Sequence, residues 1–237
     1  MDGLIGYWPL DGDGADHSGW GRDLDLYGDP GFATGLGGQA LDLYGDANQY
    51  AMRPIDDLEY NFGDGPFTVQ AWVNYNRVGF EQTLVEKFVG GAGAGWTLTS
   101  FAGGSPAHFF TDLGAVNLRS SSSIPMVAGI WHQLIARRQG NTFDLFLDGS
   151  LMATADKDGP LPVTADPLMV GRRNSRSYPV DGRLDEIAIW NRSLTNSEIS
   201  SLFNGGKGQM VPEPNSMAMI AWGVGSVLAL IRSRRRV

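Results

Sequence analysis

The chain has 237 residues, 18 Lys and Arg against 26 Asp and Glu, a formal net charge of −8 at pH 7, and no cysteine. Four of the arginines and one glutamate fall in residues 211–237, leaving a body with 14 basic and 25 acidic residues and a net charge of −11. That balance excludes phosphate-backbone binding as the main task, and the missing cysteines exclude a disulfide framework and thiolate metal sites.

Some 200 residues can bury one sizeable all-β core. Period-2 alternation and β-branched or aromatic runs predict strands over Leu4–Leu10, Leu24–Tyr27, Gln39–Tyr44, Phe67–Tyr75, Thr83–Phe88, Gly95–Phe101, His108–Thr111 and Ala115–Ser120. Five more follow at Trp131–Gln139, Thr142–Leu147, Ser150–Asp156, Leu168–Gly171 and Gly182–Trp190. The string Leu-Asp-Leu-Tyr-Gly-Asp occurs at Leu24–Asp29 and again at Leu41–Asp46, which reads as two strands facing one core rather than as a repeat array. Asp148-Gly149 between apolar runs predicts a type I′ hairpin. One helix is expected, capped by Ser193 or Thr195, with Glu198 completing a capping box and Ile199, Leu202 and Phe203 forming its stripe before Gly205-Gly206 ends it. Many short strands with long connections point to a two-sheet antiparallel sandwich.

Five landmarks in order carry a family resemblance. Leu4 to Asp11 with Asp16 to Gly21, the strand Phe67 to Val73, the pair Trp131-His132-Gln133-Leu134 and Leu147-Asp148-Gly149, and Asp181 to Leu194 with Glu198-Ile199 are similar to bacterial laminin G-like, concanavalin A-like jelly-roll domains. The resemblance spans residues 3 to about 206 and implies an all-β jelly-roll sandwich used in extracellular recognition. It implies no single ligand, because this fold carries lectins, glucanases and adhesion modules.

Catalytic residues are not expected. Retaining glucanases of this fold bear Glu-x-Asp-x-Glu on one strand, placing two carboxylates about 5 Å apart. Asp181-x-x-x-Asp185-Glu186 is the nearest string, and its spacing is wrong. Neither a Gly-x-Ser-x-Gly elbow nor His-Glu-x-x-His occurs, and His17, His108 and His132 are scattered. Asp11 to Asp16 fails as an EF-hand loop, since Ala15 and Arg22 stand where ligands are required. A structural calcium ion held by Asp16 and Asp185 is one reading; the other has Asp185 accepting backbone N–H groups of a neighbouring loop. Strict alternation places Asp185 on one face with Ile187 and Ile189. Trp8, Trp72, Trp131 and Trp190 are assigned to the core. Trp20, Trp96 and Tyr178 lie near Gly-rich or polar loops and are candidates for stacking on sugar rings, with loop-anchoring packing as the alternative. Arg172-Arg173-Asn174-Ser175-Arg176, the one basic knot of the body, reads as a solvated loop, so nucleic acid is not an expected partner.

The C-terminus reads as an address. A linker over residues 207–216 contains Pro212-Glu213-Pro214, an uncharged segment follows at 217–231, and residues 232–237 are Arg-Ser-Arg-Arg-Arg-Val. As a helix the apolar segment covers about 22 Å, short of the roughly 30 Å hydrocarbon core, and Gly223 and Gly225 weaken it. The arrangement resembles the PEP-CTERM sorting signal, which implies reading by an exosortase, a membrane protease-transpeptidase, and delivery to the cell surface or extracellular matrix. A lasting membrane anchor is the alternative. Basic clusters stay cytoplasmic, so residues 1 to about 210 are expected outside. Met1 to Gly6 offers no signal peptide, and a missing N-terminus is expected. The expected function is a non-catalytic exported module that binds a polysaccharide or a surface protein. A structural matrix protein without a specific ligand is the alternative, and a glycoside hydrolase the distant third.

Overall fold

Alternating side chains leave each strand one apolar and one polar face, and two sheets can bury the apolar faces against each other. The computed structural model describes residues 2–55, 58–89, 93–100, 107–111, 115–120 and 126–208. The strands are β1 (Leu4–Trp8), β2 (Asp25–Tyr27), β3 (Gly31–Thr34), β4 (Gln39–Tyr44), β5 (Tyr50–Arg53), β6 (Phe67–Tyr75), β7 (Gln82–Phe88) and β8 (Gly95–Ser100). They continue as β9 (His108–Thr111), β10 (Val116–Arg119), β11 (Trp131–Gln139), β12 (Thr142–Leu147), β13 (Ser150–Asp156), β14 (Leu168–Val170) and β15 (Asp181–Trp190), followed by helix α1 (Asn196–Phe203). The first sheet runs β13-β12-β11-β6-β15-β4-β3 with β1 also on β15, and the second runs β10-β9-β8-β7-β14-β5-β2. All pairings are antiparallel, so the expected sandwich is present.

Two strands were not expected. β3 follows Pro30, sits at a sheet edge and has no fully buried residue; β5 is four residues long and ends on Arg53. Both are too short for alternation to register. The two Leu-Asp-Leu-Tyr copies lie in opposite sheets, the first at β2 and the second in β4, yet Leu24, Leu41 and Leu43 all enter one core. The Asp148-Gly149 turn joins β12 to β13 with φ of 51° and 71°, both positive as a type I′ turn requires. The apolar tail and its basic end, expected over 217–237, lie outside the described residues. Among the described residues, no helix is long and apolar enough to cross a membrane.

β15 lies between β6 on one edge and, on the other, β4 for its first half and β1 for its second. A bulge between Asp185 and Ala188 divides the halves, and Glu186 sits there with φ of 50°. The extra residue breaks the alternation. Leu184, Ile187 and Ile189 enter the inter-sheet core, whereas Ala188 and Trp190 face a second cluster outside the first sheet. Asp185, paired with Trp72, faces outward as well, which corrects the shared face expected for Asp185, Ile187 and Ile189.

α1 closes that outer face. Thr195 is the N-cap, its hydroxyl accepting from Glu198 N while the Glu198 carboxylate accepts from Thr195 N, and Asn204 ends the helix in the left-handed region. Arg192 beside Glu198 holds that carboxyl at about 2. Ile199 and Leu202 pack on Leu4, Tyr7, Ile135, Phe146 and Trp190. Phe203 stacks on Trp72 at 6.0 Å, and Arg137 ties Leu194 O and Asn196 to Asp144.

Thr195→Ala removes one cap of a short helix whose stability comes from docking. We expect a loss of about 1 kcal/mol and a fall in the thermal midpoint of roughly 2–4 °C, read by circular dichroism. An unchanged midpoint would contradict the sealing role given to α1.

Candidate functional site

Asp16 lies in the loop after β1, and its carboxylate is filled by the loop itself. Oδ1 accepts from Tyr7 N (3.1 Å) and Ser18 N (2.8 Å); Oδ2 accepts from Ser18 Oγ (2.8 Å) and Arg22 N (2.9 Å). Asp185 Oδ2 accepts from Leu36 N at 2.7 Å, the loop contact weighed as an alternative to a cation. Burial raises its pKa to about 8, with Leu36 N–H pulling it down and Glu186 adding to the rise. Glu186 accepts from the Tyr7 hydroxyl at 3.0 Å to each oxygen. Among the described residues, no group of three or more His, Asp or Glu is placed to hold a metal ion.

The three candidate aromatics separate. Trp20 is 62 % exposed over the first sheet, donates from Nε1 to Leu4 O, and has the Arg22 guanidinium 5.1 Å from its ring. Trp96 is buried in the inter-sheet core, donates to Tyr60 O and stacks on Phe62, so its ring offers no face to a sugar. Its Gly-rich flank suggested a loop, but alternation within β8 turns it inward. Trp131, expected in the core, is half-buried at the start of β11. Tyr178 is 39 % exposed, with φ of 54°, and stands on the outer face of the second sheet. Pro212, Glu213 and Pro214 lie outside the described residues.

Tyr178 leads to the site that sequence reading missed. Directly opposed partners share a sheet face, and one row of them crosses all seven strands: Asp25, Met52, Met169, Glu86, Thr97, Phe110 and Asn117. Arg173, in the loop after β14, lies over this row. Its guanidinium carbon is 4.6 Å from the Tyr178 ring centroid, 5.0 Å from Phe110 and 5.8 Å from Phe88. Its Nη2 donates to Glu81 Oε1 at 2.5 Å, and Nε stands 3.7 Å from Glu86 Oε2. The three charged side chains are 16 %, 11 % and 1 % exposed respectively, so the Arg173 end of the expected solvated loop is packed into a polar and aromatic surface while Ser175 and Arg176 stay exposed. A turn holds it there, Arg173 N donating to Ser177 O and Arg176 N to Arg173 O.

Burial dominates the electrostatics. It raises Glu86 to about 7 against the pull of Asn174 N–H (2.8 Å), the Arg173 guanidinium and the Thr97 hydroxyl. Burial also raises Glu81. His108, 4.8 Å from the Phe110 ring and within 2.9 Å of Asn117 Oδ1, is lowered by burial to about 4 and is a neutral donor or acceptor at pH 7. A desolvated ion pair contributes little net stability over an apolar substitute, so folding alone gives weak reason for one on an outward face. Rings to stack on, a rigid fork of donors and neutral polar groups beside them can hold a hydroxyl-rich ring.

No curated protein matches the chain. Among solved structures, domain 4 of AbnA, a GH43 extracellular arabinanase from Geobacillus stearothermophilus in complex with arabinotriose, superposes with a TM-score of 0.69 at 15 % identity, covering 83 % of this chain and 96 % of that one. The binding domain of Paraclostridial Mosquitocidal Protein 1 gives 0.69 at 18 % identity over 86 % of this chain and 52 % of its own. The botulinum neurotoxin serotype G binding domain gives 0.63 at 17 % identity over 84 % and 50 %. The chain thus spans about half the length of the two toxin domains, and likeness at these identities shows the fold. A family model described as the concanavalin A-like lectin/glucanases superfamily matches residues 46–200. With two antiparallel sheets packed around one core and that match over most of its length, the chain belongs to the concanavalin A-like lectin/glucanases superfamily.

Proposed function

We propose that this protein is an exported, non-catalytic recognition module that binds carbohydrate, or a glycan-bearing surface partner, through the outer face of its second sheet. The observation that carries the reading is Arg173, mostly buried between Glu81 and Glu86 and ringed by Phe88, Phe110 and the exposed Tyr178. Folding gives little return for that arrangement, and ligand binding gives it a use. Supporting it, the superposed arabinanase domain carries arabinotriose and the superposed toxin domains are binding domains. The non-catalytic part of the reading rests on Glu81 and Glu86, which flank a guanidinium rather than an open gap for a scissile bond. Asp185 and Glu186 are closed in by Leu36 and Tyr7.

The C-terminal part of the reading rests on sequence. Proline at 212 and 214 disfavours helix, the short apolar segment would hold the precursor in the membrane, and the arginines would stay inside. An exosortase-type enzyme would then cut near Pro212-Glu213-Pro214 and release the body to the surface or matrix.

Three outcomes follow from this reading. On a glycan array the full chain should bind, and Tyr178→Ala should weaken binding roughly 3–10-fold, the worth of one stacked ring. Absence of binding to any glycan would favour a structural matrix protein. For Glu86, the raised pKa means that the native state holds its proton more tightly than the unfolded chain. Its contribution to stability is full below about 4.5 and is lost as pH rises through about 7. Melting curves from pH 5 to 8 should therefore show the difference between Glu86→Gln and the parent moving towards the variant as pH rises. Movement the other way would contradict the burial assigned to Glu86. Mass spectrometry of the mature protein should show a C-terminus near residue 212, and recovery of peptides from Ala218 to Ile231 would indicate a lasting anchor.

A further inference from the structure

Beside Arg173, Arg172 is a buried cation that finds no polar partner among the described residues. It is 5 % exposed, and its Nε has no hydrogen-bond partner. Among the described residues, no carboxylate pairs with it and no carbonyl accepts from its terminal nitrogens. Other arginines of the domain are matched: Arg137 with Asp144, Arg173 with Glu81, Arg192 with Glu198, Arg22 with Glu59. A body with a net charge of −11 has carboxylates in excess, yet among the described residues none pairs with Arg172.

What Arg172 has instead is an aromatic stack. Its guanidinium carbon lies 3.6 Å from the Tyr50 ring centroid, and Tyr50 is stacked on Tyr27 at 4.7 Å with 5° between the planes. Tyr50 and Tyr27 are opposed partners of β5 and β2, so the stacked pair stands at one edge of the second sheet with the guanidinium over Tyr50, and both rings are half-buried. A ring face attracts a guanidinium but accepts none of its five N–H hydrogen bonds, and burial strips the Nε–H of water while leaving the terminal nitrogens within reach of solvent. An oxyanion arriving in the plane of the fork would accept two of them at once.

We propose that Arg172, Tyr50 and Tyr27 form a subsite for the carboxylate or sulfate group of an acidic polysaccharide. The inference rests on the glycan reading above and names its substrate class. The acidic group meets the Arg172 fork while the sugar ring lies along the tyrosine edge. Since Arg172 and Arg173 are adjacent in the chain, the next sugar unit reaches towards the Tyr178 surface. The net charge of −8 repels long polyanions in general, so retention has to come from this local fork. One or two phosphate-like contacts give only a shallow salt dependence, unlike the steep one of a nucleic-acid groove.

The test is affinity electrophoresis of the full chain in mild detergent through gels holding polygalacturonate, dextran sulfate, methyl-esterified polygalacturonate or dextran, with a single-stranded oligonucleotide as competitor. The carboxylate and sulfate arms distinguish the two anion sources. We expect an acidic polymer to retard the chain more than its neutral counterpart, with Arg172→Gln weakening that retention about ten-fold or more and Arg172→Lys keeping part of it. Neutral retention should not change. If Arg172→Gln fails to fold, as its melting curve will show, Tyr27→Leu on the edge strand gives the same reading. Equal retention by acidic and neutral polymers, unaffected by either variant, overturns the subsite and leaves the glycan reading standing. Retention by none of the polymers overturns both. Displacement by the oligonucleotide in preference to free polymer overturns the acidic-sugar assignment.

Discussion

Everything in this fold hangs on β15 being buried on both faces while changing partner halfway. A ten-residue strand that pairs with β4 and then β1 along one edge needs a point at which its direction and side-chain phase can shift. The bulge at Glu186 supplies it, at the cost of a non-glycine residue with positive φ. The hydrogen bonds of Tyr7 to the Glu186 carboxylate and of Gln70 to its carbonyl hold that residue in place, and Gln133 in turn donates to Gln70. Thus a buried polar network, fully inside the first sheet's cover, sets the register on which the inter-sheet core depends.

Because both sheets spend their apolar faces on one core, what differs between them is the treatment of the outward faces. α1 and the chain around Leu36 close the first, putting Trp72 and Trp190 out of reach of solvent. Across the second, the outward row runs from Asp25 to Asn117 with two arginines lodged on aromatic rings. Each arginine is largely withdrawn from solvent, one beside carboxylates whose pKa values burial has raised and one, among the described residues, beside none. Groups of this kind are poor contributors to folding and good contributors to recognition. The asymmetry assigns function to the second sheet.

The fold was legible where it depends on local chemistry. Asp148-Gly149, the Thr195 and Glu198 box, and the apolar alternation of β6, β11 and β15 each express a period or a turn preference that acts over a few residues. The face of Asp185 was not legible, since a bulge adds one residue without a composition signal and Glu186 is an unusual choice for positive φ. Trp96 was left between sugar stacking and packing because its glycine neighbours mimic a loop; its strand phase points it at Tyr60 and Phe62 and decides for packing. The Arg173 site could not be found by spacing. Glu81, Glu86, Phe110, Arg173 and Tyr178 come from three separate stretches of chain and meet only through cross-strand pairing. The basic knot was the available signal, and its density of charge suggested solvent where the structure has stacking.

Hydrogen–deuterium exchange of the full chain, with and without saturating oligogalacturonate or neutral arabinan oligosaccharide, locates the ligand on one sheet or the other. Our account predicts slower exchange on ligand addition in peptides covering Thr83–Phe88 and Arg172–Tyr178, with the Trp20 loop and α1 unchanged. Protection confined to the Trp20 loop, α1 or the first sheet would contradict the assignment of recognition to the outer face of the second.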